Sequence, residues 1–182
     1  MRKIAEISAI VLLLSLSRLA ITIPNLETIG AAALFGGALL SSKYLRFIIP
    51  LVALFIGDLI LSAILPVNAG YVFGPTFFAT YAAFALTVVI GRKLIGSQPK
   101  MKNVLVGSVA SSLLFFVITN FASWADPAFS MYTKDLSGLM TCYAMGIPFY
   151  KMTFVSNVLV SVAIFGLYGV YQKQFASKTL EA

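Results

Sequence analysis

Apolar residues come in runs of about 20, and the polar residues gather in the gaps between them. A run of that length crosses a ~30 Å hydrocarbon core as an α-helix. Six spans can be drawn, at approximately residues 4–23, 28–40, 47–65, 72–94, 104–121 and 152–171. The second is short and rich in small residues (GAAALFGG). It is expected to be tilted, interrupted or buried against its neighbours, since small side chains let helices approach closely in lipid. The first run precedes no small-residue cleavage site, so it is read as a span and not as a signal peptide.

One interval resists this reading. Residues 119–151 (TNFASWADPAFSMYTKDLSGLMTCYAMGIPFYK) hold the only Trp and the only Cys of the chain. Residues 122–151 are expected to form a long connection between the fifth and sixth spans. Within it, 135–146 (DLSGLMTCYAMG) is apolar enough to lie in the interface or dip into the bilayer, yet too short to cross. Asp135 suits the start of a helix there, although Gly138 counts against one.

Charge placement supports the count. Arg2 and Lys3, then Lys43 and Arg46, then Arg92, Lys93, Lys100 and Lys102, and finally Lys173 and Lys178 fall on one side of a six-span arrangement. Only Lys134 and Lys151 fall on the other, balanced by Asp126 and Asp135. Basic residues concentrate in cytoplasmic loops, so both termini are expected inside, with the connections 24–27, 66–71 and the long 122–151 outside. Removing the short second span would spoil this alternation.

Composition agrees with the pattern. The chain of 182 residues is 60% hydrophobic and 10% charged, with a mean hydropathy of +0.97. A soluble domain carries about a quarter of its residues as charges. The expectation is an all-α integral membrane protein, a six-helix bundle forming one domain over residues 1–182, in a cytoplasmic (inner) membrane. The net charge of +7 reads as loops beside anionic lipid, not as a nucleic-acid surface. With no His and one Cys, an internal disulfide is excluded and a metal cluster is disfavoured, so no metal or other cofactor is expected. No paired acids or activated nucleophile form a catalytic motif, so the chain is not read as an enzyme.

The polar residues inside the spans carry the functional question. Arg18, Asp58, Asn120 and Asn157 all fall in the outer half of the expected bundle. Ionisable groups in hydrocarbon normally face the bundle interior or a cavity. Arg18 and Asp58 either pair with each other or meet a ligand, and Arg18 can instead snorkel outward. Asn120 and Asn157 either bond one helix to another or line a pocket. In the outer connections, Asn25 and Glu27 (PNLETIG), Asn68, Trp124 and Tyr132 are candidate ligand contacts; Glu27 equally suits a helix start. Trp124 and Tyr132 are either part of an interfacial aromatic belt or a stacking surface for a ring. Together they favour a weakly charged, partly aromatic ligand. Cys142 is read as apolar filler. Ala5 and Ala9 make a small-xxx-small step suited to a partner helix.

The segments NLETIGAAALFGGALLSSKYL, Gly57–Asp58, TNFASW and GIPFYKMTFVSNVL resemble an uncharacterised family of small bacterial membrane proteins. That family is similar to the substrate-binding S components of energy-coupling factor (ECF) vitamin transporters. The resemblance implies a six-helix bundle that captures a micronutrient on the outer side. It further implies a coupling transmembrane subunit, met through Ala5 and Ala9, and two cytoplasmic ATPases. The chain has no Walker motif of its own. The other reading is a membrane scaffold or assembly protein with no transported ligand.

Overall fold

Small side chains put the shortest helix at the centre of the bundle. The computed structural model describes residues 2–17, 28–64, 73–127 and 131–180. Among them are six α-helices: α1 (Arg2–Leu16), α2 (Ile29–Leu39), α3 (Leu45–Ile64), α4 (Pro75–Ile90), α5 (Met101–Ala125) and α6 (Leu136–Leu180). A π-helical turn, Gly91–Ile95, continues α4. Helix α2 packs against all five others and against the π-helical turn. Ten of its eleven residues are buried.

Glycine makes that centre possible. A Cβ on Gly37 would fall on the Val88 carbonyl, and one on Gly91 would fall on the Leu34 carbonyl. The α2 and α4 backbones therefore touch directly. Phe35 fills the remaining space, meeting Phe165 and Tyr168 edge-on at centroid distances of 5.1 and 5.4 Å. Arg46 closes the end of α2 by donating from Nη2 to the Leu40 and Ser41 carbonyls, at 3.0 and 2.9 Å. A cation suits the negative end of the helix dipole.

Among the described residues, four helices are long and apolar enough to cross a membrane: α3, α4 with its π-helical turn, α5 and α6. This all-helical architecture is consistent with a helical membrane protein. The short second span is the buried α2, about 16 Å long at 1.5 Å per residue and so about half a bilayer core. Helix α1 is described to Leu16, and residues 18–23 of the expected first span lie outside the described residues.

The sixth span needs correction. Residues 135–146 are not a separate interfacial segment, and the connection after α5 covers 126–135 instead of 122–151. Helix α6 runs unbroken through Gly138, Gly146 and Pro148 for 45 residues, about 67 Å. Two local features start it. Asp135 Oδ1 accepts the Gly138 N–H and the Thr133 hydroxyl, both at 2.8 Å. Gly138 fits because a Cβ there would collide with the Thr133 carbonyl. The glycine that argued against a helix is thus what its first turn requires. Support then comes from α5, which lies antiparallel: Asn120 sits beside Cys142 and Gly146, and Met101 beside Gly166.

Candidate functional site

The α5–α6 seam holds a cluster of buried polar groups. Asn157 on α6 donates from Nδ2 to Ser108 O at 3.0 Å, Ser111 Oγ at 3.0 Å and Ser112 Oγ at 2.8 Å. The residue is 4% exposed, and its Oδ1 is buried without a hydrogen-bond partner. That oxygen faces Gly30, where a Cβ would stand 2.7 Å from it. Gly30 lies in the first turn of α2, where backbone N–H groups have no intrahelical acceptor. A void of about 20 Å³ lies here between Gly30, Thr87, Phe115 and Asn157, enough for about one water.

A larger cleft of about 150 Å³ adjoins it, sharing Phe115 and Thr153. Its walls are aromatic (Phe115, Phe116, Phe149 and Tyr150), with Thr119, Asn120, Gly146 and Thr153 between them. No lining residue of either space is charged. Gly146 keeps the cleft open, since a Cβ there would run into Asn120 Oδ1 and stand 3.0 Å from the Phe116 ring. Asn120 donates from Nδ2 to the Phe116 carbonyl at 2.8 Å within its own helix, which leaves Oδ1 over Gly146.

The sequence-predicted site residues divide into four groups. Asn120 and Asn157 line adjoining spaces. Asp58 lines neither; it is buried on α3 and accepts the Tyr81 hydroxyl at 2.9 Å. Trp124 and Tyr132 also stand outside both. Trp124 Nε1 donates to the Thr133 carbonyl at 2.9 Å. Lys134 donates to the Trp124 carbonyl and, at 2.9 Å, to that of Asp126, satisfying the end of α5. Trp124 therefore fastens the α5–α6 connection. Tyr132 is partly buried beside Cys142, and its hydroxyl pKa is raised first by desolvation and then by that thiol. Ala5 and Ala9 are exposed on α1. Arg18, Asn25, Glu27 and Asn68 lie outside the described residues, and with them the expected Arg18–Asp58 pairing.

Cys142 is buried, and its thiol donates to the Asn120 carbonyl at 3.3 Å, so it packs the seam as expected of filler. Among the described residues, no group of His, Cys, Asp and Glu could hold a metal ion.

Residues 1–179 match the family described as "Family of unknown function (DUF6580)". The chain belongs to that family. No curated protein and no solved structure matches it.

Sequence reading missed Tyr81, Thr153, Gly30 and Gly146 as site or site-supporting residues. The Ser111–Ser112 pair, facing Asn157 across a seam of otherwise apolar helices, was the available signal. Serines are too common in membrane helices to stand out without a partner in view.

Proposed function

We propose that this protein is a substrate-capture subunit. It binds a small, uncharged, partly aromatic molecule in the α5–α6 cleft from the outer side of a bacterial inner membrane, for uptake. The observation that carries the reading is Asn157 Oδ1, a buried acceptor without a partner beside an uncharged aromatic cleft. A buried polar atom left unpaired costs about 1–3 kcal/mol, which a ligand or a water would relieve. Aromatic walls with a few directional polar groups are the usual chemistry of a small-molecule site.

The distribution of basic residues supports cytoplasmic termini, which turns the α5–α6 connection outward. The resemblance to ECF S components supports a coupling transmembrane subunit and cytoplasmic ATPases as partners. The exposure of Ala5 and Ala9 leaves that step of α1 free to receive a helix. A second reading, a scaffold without ligand, is favoured by the Asn157 bonds to Ser108, Ser111 and Ser112, which fasten α6 to α5.

Cysteine accessibility tests the orientation and openness of the cleft. In a Cys142→Ser background, Thr153→Cys is expected to react with a membrane-impermeant maleimide added outside intact cells. Labelling only from the cytoplasmic side, or none in either direction, would contradict capture from outside.

A further inference from the structure

The hydrogen-bond directions around the cleft carry information about its ligand. Nearly every polar side chain there gives its proton to the protein. Thr87 donates to the Ala83 carbonyl, and Thr119 to that of Phe115. Thr153 donates to the Phe149 carbonyl, at the longer distance of 3.4 Å. Ser111 and Ser112 both donate to Ser108 O. The Asn120 and Asn157 amide nitrogens are likewise engaged. What remains in the cleft itself is above all Asn120 Oδ1, while Asn157 Oδ1 stays buried against Gly30 in the adjoining void. The Tyr150 hydroxyl is the one lining donor group, among the described residues, left over for a ligand's acceptor.

We infer that the cleft selects an uncharged single-ring molecule bearing N–H or O–H donors, and that Asn120 Oδ1 receives one of those donors. This rests on the capture reading above and adds the ligand class to it. Size sets one ring, because about 150 Å³ is the volume of a cavity that holds benzene. Polarity sets a donor, because a ligand of acceptors alone would leave Asn120 Oδ1 facing its lone pairs. Charge is excluded in both senses. A carboxylate would be desolvated with no cation lining the site, only the Tyr150 hydroxyl to donate to it and Asn120 Oδ1 opposing it, and an ammonium would be desolvated with no acid to balance it. Donor-for-acceptor matching of this kind discriminates strongly, because the mismatched ligand leaves buried groups unpaired.

The test uses the full chain in lipid nanodiscs and ¹⁹F NMR of three probes of similar size: 4-fluoroaniline, 4-fluorotoluene and 4-fluorobenzoate. Saturable binding of 4-fluoroaniline at least tenfold tighter than either of the others is expected. Asn120→Leu, whose lost amide bond is local to its own helix, is expected to weaken 4-fluoroaniline about tenfold and leave 4-fluorotoluene unweakened. A merely structural role for Asn120 would move both probes together. Gly146→Leu fills the cleft and is expected to abolish saturable binding; Thr153→Leu serves the same purpose if Gly146→Leu elutes as aggregate. If all rings bind alike and the filling variants abolish binding, the donor rule is overturned and the capture site stands. If no probe binds saturably, or the filling variants change nothing, the capture site itself is overturned.

Discussion

At the scale of single residues, two glycines set how closely the bundle closes. Gly37 and Gly91 lie against the Val88 and Leu34 carbonyls, with no volume for a methyl group. Gly37→Ala and Gly91→Ala are each expected to destabilise the protein by roughly 1–3 kcal/mol, the usual cost of overpacking. Gly169 has no atom within 4 Å of its would-be Cβ, so Gly169→Ala should be neutral or stabilising by up to about 1 kcal/mol. Thermal unfolding of the three variants in one detergent checks the contrast; equal shifts would contradict it. Asp135 supplies a pH-dependent term. Its carboxyl is held below the usual range first by the Gly138 N–H and then by the Thr133 hydroxyl, with smaller backbone contributions. A lowered folded-state pKa means the cap is fully present above the unfolded value, about 3.9, and is lost as pH falls through the folded value. Hydrogen exchange at the Gly138 and Leu139 amides should quicken across that acid window in the wild type. Asp135→Asn should remove the pH step.

At the scale of elements, α6 is where the chain was hardest to read. Gly138, Gly146, Pro148 and Lys151 all argue locally against one continuous helix, and hydropathy places the span after them. Packing overrides that evidence: α5 lies alongside, and Gly138 and Gly146 are points of close approach. Pro148 is tolerated because neighbouring helices and local adjustments compensate for its missing donor. By contrast, burial of α2 against its neighbours was one of the three readings that GAAALFGG left open, and the Asp135 cap was legible in its position before an apolar run. The continuous helix changes the setting of Lys151. It follows Tyr150, whose ring lies 4.6 Å from that of Phe116, nine residues or about 14 Å inside the end of α5. Lys151 is exposed there amid Ile147, Met152 and Val155, a face that in lipid obliges its ammonium to snorkel. Lys151→Leu is expected to favour membrane insertion of α6 by roughly 1–3 kcal/mol in a glycosylation-mapped insertion assay. No change would mean that Lys151 already reaches water.

At the scale of the whole molecule, the membrane class follows from the spacing of apolar runs, because bilayer thickness constrains helix length so directly. The site was legible only in part. Asn120 and Asn157 stand out as polar residues within apolar spans, but sequence cannot show that one faces Gly146 and the other Gly30. Trp124 stood out for being unique, yet its indole N–H is committed to the Thr133 carbonyl, a partner that exists only once the connection is folded. The central claim is that the cleft between α5 and α6 carries a small molecule. Its most direct test is untargeted mass spectrometry of the full chain gently extracted from its native membrane, beside Gly146→Leu prepared in the same way. The account predicts a stoichiometric, uncharged, ring-containing compound with the wild type and its loss from the variant. The same compounds in both preparations, or none in either, would contradict it.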